Sequence, residues 1–171
     1  WVQLAAAVVL LLAVSSTVYY SGLWSKDIII QSSSDPNTLV HTLADGSNVF
    51  LRPNTTITYS KRFGSSHRNI TLEGEAFFDV SSNPNLPFKI ETSDASVKVI
   101  GTSFSVKSNK TDSFEVIVES GVVSVSSKYR TGQTLVANAG DMVTLENNQL
   151  ALKTTQHSSP TWRKQRIQFK D

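Results

Sequence analysis

From Ile28 onward, apolar and polar positions alternate with period two, the signature of strands with one buried face. The alternating pairs are Val49 and Leu51, Ile57 and Tyr59, Phe88 and Ile90, Val97 and Val99, and Phe104 and Val106. The pattern continues through Phe114, Val116 and Val118, then Val123 and Val125, Val143 and Leu145, and Leu150 and Leu152. No long segment of this part carries apolar residues at helical spacing. Turn chemistry separates the runs. Asp45-Gly46 predicts a type I′ hairpin turn, in which both central residues need positive φ, and Asn147-Asn148 is a second such site. Asn83-Pro84-Asn85-Leu86-Pro87 reads as a loop, because its two prolines cannot donate to a ladder. Gly46, Gly74, Gly101, Gly121 and Gly140 each precede an alternating run. Their spacing is too irregular for a strict solenoid, and two accounts stay open: glycine as the corner of stacked hairpins, or glycine as an ordinary strand end in a sandwich. Either way the predicted class is all-β.

The first 24 residues follow a different rule. Trp1 to Trp24 carry no charge, and Leu4 to Val14 are apolar without a break. About 20 residues at roughly 1.5 Å each span the hydrocarbon core of a bilayer, and Trp1, Tyr19, Tyr20 and Trp24 fit interfacial aromatic belts. The expectation is a transmembrane helix over residues 1–24, with Val2 and Tyr20 as its ends. A signal peptide and a buried helix of a globular domain are the competing readings. Residues 25–38, with Ser32-Ser33-Ser34-Asp35-Pro36, read as a polar juxtamembrane stalk. Residues 39–156 read as the β-domain and 157–171 as a linker into a further domain.

Composition narrows the function classes. Sixteen basic and 14 acidic residues leave a net charge of +2, too balanced for a nucleic-acid surface. The absence of cysteine excludes disulfides, thiolate metal sites and a cysteine nucleophile. His41, His67 and His157 are scattered, with no His-x-His or Glu-x-x-His pair to hold a metal. Glu73 and Glu75 share a strand face, but as edge charges or partners of Arg68 they need no catalytic role. The Asn-x-Thr triplets at Asn54, Asn69 and Asn109 arise readily in so Ser/Thr/Asn-rich a chain. No enzyme activity and no cofactor is expected. Trp162, Arg163, Ile167 and Phe169, among further cations, form a basic aromatic patch that either seats an adjoining domain or partner, or merely caps the β-core.

Several strings resemble a known family. They are Leu43-Ala44-Asp45-Gly46-Ser47, then Arg68 through Val80 with Gly74-Glu75-Ala76-Phe77-Phe78 inside it, and Val99-Ile100-Gly101-Thr102-Ser103-Phe104. Their order and spacing over about 80 residues are similar to the FecR domain, with Asp45, Gly46, Gly74, Glu75, Phe77, Phe78, Gly101, Thr102 and Phe104 as the signature. The family usually has proline where Ala44 stands and asparagine near Ser105. The resemblance implies a single-pass inner-membrane anti-sigma regulator with its β-domain in the periplasm. Its implied partners are the signalling domain of an outer-membrane TonB-dependent transporter, an extracytoplasmic-function sigma factor, and site proteases that process the regulator. The implied architecture is a sandwich or solenoid-like stack of hairpins behind one transmembrane helix. The alternative is a membrane-anchored β-sandwich module that binds glycan or protein. That would need a cluster of exposed aromatics, whereas Phe77, Phe78, Phe88 and Phe104 sit in runs that read as buried.

Overall fold

The computed structural model of the chain describes residues 1–20, 27–109 and 114–154. Helix α1 (Val2–Tyr20) is followed by thirteen strands: β1 (Asp27–Gln31), β2 (Leu39–Thr42), β3 (Asn48–Leu51), β4 (Thr56–Ser60), β5 (Arg68–Asp79), β6 (Phe88–Glu91), β7 (Ala95–Val99), β8 (Ser103–Ser108), β9 (Glu115–Ser120), β10 (Val122–Ser127), β11 (Thr134–Asn138), β12 (Asp141–Glu146) and β13 (Gln149–Thr154). They form two sheets that share β5. The first orders β1-β4-β5-β6-β7-β10-β11, and the second β2-β3-β5-β8-β9-β12-β13. After β5, successive hairpins alternate between the sheets: β6-β7, then β8-β9, then β10-β11, then β12-β13. All pairings are antiparallel except β5 with β6.

The period-two pattern explains why two sheets form. Even positions of β5 from Arg68 to Phe78 face inward, as do Val97 and Val99 on β7 and Phe104 and Val106 on β8. Burying these faces against each other removes apolar surface from water, at roughly 25 cal/mol per Å². The aromatic centre of this core is Phe78, stacked on Phe104 at 5.5 Å and edge-on to Phe88 at 6.1 Å. At one edge the two sheets almost close into a barrel. The Gln133 side chain, just before β11, donates to the Leu150 carbonyl and accepts from the Leu150 amide of β13, both at 3.1 Å.

Two turns illustrate how local chemistry sets register. At Asn147-Asn148 both residues have positive φ, 50° and 61°, as a two-residue type I′ hairpin demands. At Asp45-Gly46 only the glycine does, with φ 82°. The turn closes by Gly46 donating to the Leu43 carbonyl at 3.0 Å, with Leu43 donating to Ser47 at 2.8 Å. This is a three-residue loop ending in a left-handed glycine, so the expected type I′ geometry is corrected. Asp45 is free to keep negative φ because its carboxylate caps the loop, accepting from the Ser47 amide at 2.9 Å. Within the stretch read as a stalk, Asp27–Gln31 is strand β1, paired with β4. Just after it, Ser32 is buried and exchanges backbone and hydroxyl bonds with Thr55.

The expectation of a membrane-spanning helix from Val2 to Tyr20 is corrected. Among the described residues, no helix is long and apolar enough to cross a membrane. Helix α1 has 19 residues, but Gln3 stands near one end and Ser15, Ser16 and Thr17 near the other. Thr17 donates its hydroxyl to the Val14 carbonyl at 2.8 Å. The unbroken apolar stretch, Leu4–Val14, covers roughly 16 Å of a hydrocarbon core of about 30 Å. With that helix fall the single-pass inner-membrane placement and the regulator anchored by it, which both rested on the same segment.

Candidate interaction surface

Of the residues singled out in the sequence, Asp45, Gly46, Gly101 and Thr102 lie at corners between strands, whereas Gly74, Glu75, Phe77, Phe78 and Phe104 lie within strands. Arg68, the first residue of β5, is 1% exposed and points inward. Its guanidinium has five N–H donors, and five acceptors receive them. Nε donates to the Leu86 carbonyl at 2.6 Å, Nη1 to Ser81 O at 2.8 Å and to Asp45 Oδ2 at 3.1 Å. Nη2 donates to Asn83 O at 3.3 Å and Ile100 O at 3.1 Å. One side chain thereby ties the Asp45-Gly46 loop, the proline loop and the β7–β8 corner together. Strand parity explains why Arg68 does not meet Glu73 or Glu75. It lies on the even, inward face, whereas the two glutamates lie on the odd, outward one. Glu75 pairs instead with Arg52 at 3.7 Å.

The signature glycines mark close approaches. Gly74 has φ 119° in the middle of β5, where that strand leaves the first sheet for the second. A Cβ there would stand 2.6 Å from Thr55 Oγ1, and that hydroxyl bonds both the amide and the carbonyl of Glu75. At Gly101 a Cβ would meet the Ser82 Cα at 2.6 Å. Thr102 is buried and donates its hydroxyl to the Val122 carbonyl at 3.1 Å, joining β8 to β10. Phe78 and Phe104 are core residues. Phe77 instead lies on the outward face of the second sheet, its ring 5.8 Å from that of Phe50.

Above the Gly101-Thr102 corner the first sheet presents a shallow groove of about 510 Å³, lined by Lys98, Ile100, Thr102, Val122, Ser124 and Val136. Ile100, Val122 and Val136 are each about half exposed, at 48%, 51% and 56%. The groove runs out to β11, an end strand whose only partner among the described strands is β10. Half-exposed aliphatic side chains gathered in one groove are the elements of a protein-contact surface. Ile100 entered the sequence reading only inside a family string, and none of the three was a candidate site residue. Val122 and Val136 sit at the outward parity of β10 and β11, and that parity was the available signal.

Elsewhere the polar groups are engaged in structural pairing. At the opposite end of the first sheet, Glu91 binds Lys89 at 2.6 Å and Lys128 at 3.0 Å. Partial burial pushes the Glu91 carboxyl up, but hydrogen bonds to Lys89 and Lys128 outweigh it and hold it below the ordinary glutamate value. Asp94 accepts from the Tyr129 hydroxyl at 3.0 Å and thereby raises that phenol. His41 meets the Tyr59 hydroxyl at 2.8 Å, and burial raises the Tyr59 phenol. Among the described residues, no group of three His, Cys, Asp or Glu side chains is placed to hold a metal ion. Trp162, Arg163, Ile167 and Phe169 lie outside the described residues, as does His157.

Comparison with known proteins agrees with this picture. Two crystal structures assigned as anti-sigma factors of Parabacteroides distasonis share the fold. One is 29% identical with a TM-score of 0.70, the other 30% identical with a TM-score of 0.67. Each match covers 76% of this chain, which spans 61% and 60% of the length of those structures. No curated protein matches the chain. The family model described as FecR protein matches residues 32–124, more than half of the sequence and all three signature strings, and the chain belongs to that family.

Proposed function

We propose that the β-domain is the signal-receiving module of an anti-sigma regulator, working through protein contacts alone. The observation that carries this reading is the likeness, at 29% and 30% identity, to two structures assigned as anti-sigma factors. The groove at Ile100, Val122 and Val136 is the contact surface. A partner segment sets aliphatic side chains in the groove. The partner is the signalling domain of a TonB-dependent outer-membrane transporter. The sigma factor under its control is of the extracytoplasmic-function class.

The test is calorimetric. The chain is titrated with the isolated signalling domains of the transporters of its own organism. One of them binds, and the double variant Val122→Asp/Val136→Asp weakens that binding at least ~tenfold, or about 1.4 kcal/mol, with the circular dichroism unchanged. The reading fails if none binds, or if the double variant binds undiminished.

A further inference from the structure

Across the outer face of the first sheet, outward positions of β6, β7, β10 and β11 line up in register. One row runs Lys89, Lys98, Ser124 and Val136, one residue per strand. The row on one side of it holds Glu91, Ser96, Ser126 and Thr134. On the other side, two residues after Lys98 and two before Ser124, stand Ile100 and Val122, so the row that carries the lysines borders the aliphatic groove. Among the outward positions of these four strands, Lys89, Glu91 and Lys98 are the only charges.

Lys89 and Lys98 stand directly opposite each other on β6 and β7. Like charges in that arrangement repel. For Lys89 the repulsion is offset, because its ammonium meets Glu91 at 2.6 Å, and Glu91 is shared in turn with Lys128 at 3.0 Å. Lys98 has no such relief. It is exposed, and its ammonium meets no carboxylate among the described residues. Its register neighbours are Lys89 and Ser124, and along its own strand direction they are Ser96 and Ile100. None of the four is an acid. The groove therefore combines half-exposed aliphatic side chains with one uncommitted cation in its lining.

That combination selects the chemistry of what covers it. A partner seated on Ile100, Val122 and Val136 takes water from Lys98 as well, and a desolvated cation without an acceptor is costly. A neutral segment incurs that cost, and a basic one adds repulsion from both lysines. An acidic one turns the cost into an attraction. We propose that the partner segment is aliphatic and acidic, placing a carboxylate on Lys98 beside the aliphatic side chains it sets in the groove. Lys98 and Ile100 lie two residues apart on one outward face, about 6.8 Å along an extended chain. The partner's carboxylate and its neighbouring aliphatic side chain are spaced to match. The inference rests on the groove being the contact surface, and adds which partners that surface accepts.

The test selects random short peptides, displayed on phage, for binding to the full chain. Those lost on the variant Val122→Ser/Val136→Ser are kept as groove binders; the serines are neutral, so this filter favours no charge. The groove binders are expected to carry Asp or Glu close to Leu, Ile or Val, well above the library frequency. Lys98→Glu weakens them at least ~tenfold at about 0.05 M salt, and much less at about 0.5 M, where a surface pair is screened. Lys153→Glu makes the same charge change on β13 of the second sheet and marks the effect of net charge alone. Groove binders of neutral or basic composition overturn the proposal. So do equal losses for the two lysine variants, or a selection that gives no groove binder. A transporter signalling domain that binds through the groove but ignores Lys98→Glu overturns the acidic partner and leaves the contact surface standing. Acidic groove peptides without any signalling domain that binds do the reverse: the acidic chemistry stands and the named partner falls.

Discussion

Arg68 is a charge placed where a strand core would normally hold a hydrophobe, and it is tolerated because all five of its donors are used. Its ring neighbour, Phe88, lies 5.6 Å from the guanidinium carbon. Arg68→Met leaves the Asp45 carboxylate, whose side chain is 9% exposed, without its cation and takes the guanidinium donors from the Ser81 and Leu86 carbonyls, whereas Asn83 O and Ile100 O keep backbone donors. Breaking one partner of a buried pair costs about 3–5 kcal/mol, and urea unfolding of the variant is expected to show a loss in that range. Arg68→Lys recovers little of it, since one ammonium cannot reproduce a planar fork aimed at five acceptors. A lysine variant as stable as the parent would show that charge, not geometry, is what matters. The sequence made Arg68 visible as a member of a family string and as a possible partner of Glu73 or Glu75. Parity counted back from Ile70 and Leu72 would have put it on the inward face, away from both glutamates, but its true partners could not be read, because Asp45, Ser81 and Ile100 are brought to it by loops with no period.

At the scale of elements, β5 is the unusual member, twelve residues that serve both sheets. Its apolar alternation was legible, but nothing in that alternation says that the strand changes sheets halfway. The mark of the change is Gly74, where the backbone takes a φ of 119° and passes against Thr55. Gly74→Ala should therefore cost more than a left-handed glycine does elsewhere. Gly132 is the control, with φ 82° and nothing within 4 Å of a Cβ. Gly132→Ala carries only the conformational term, about 1 kcal/mol, whereas Gly74→Ala adds a collision with a buried backbone and is expected to lose roughly 3 kcal/mol or more. Thermal unfolding of the two variants checks the order, and equal losses would mean that the crossing at Thr55 has room to give. The helix was misjudged for a related reason. A window without charge reads as a span, yet among the described residues no helix is long and apolar enough to cross a membrane.

The two sheets are joined in three ways: by β5, by the core, and by polar ties at the ends such as Gln133 to Leu150. The hairpins alternate between sheets, so neighbours in sequence are often on opposite faces of the core, and an all-β class could be read from the sequence while the path through it could not. Within the first sheet Lys128, which follows β10, reaches back to Glu91 on β6 and to the Thr92 carbonyl, crossing over β7. The Glu91 carboxyl is held below its ordinary value by its two lysines. Its folded-state pKa is thus depressed, so its contribution to stability is fully present above the unfolded-state pKa of about 4.3 and is lost as pH falls through the lower, folded-state value. The side chain is 30% exposed, which limits the contribution to less than about 1 kcal/mol. Glu91→Gln removes it and flattens the acid side of the stability curve below about pH 4.5, with little change in slope near neutrality. Urea titrations at a series of pH values in both variants measure that difference directly, and parallel curves through the acid range would assign the acid sensitivity of the domain to other carboxylates.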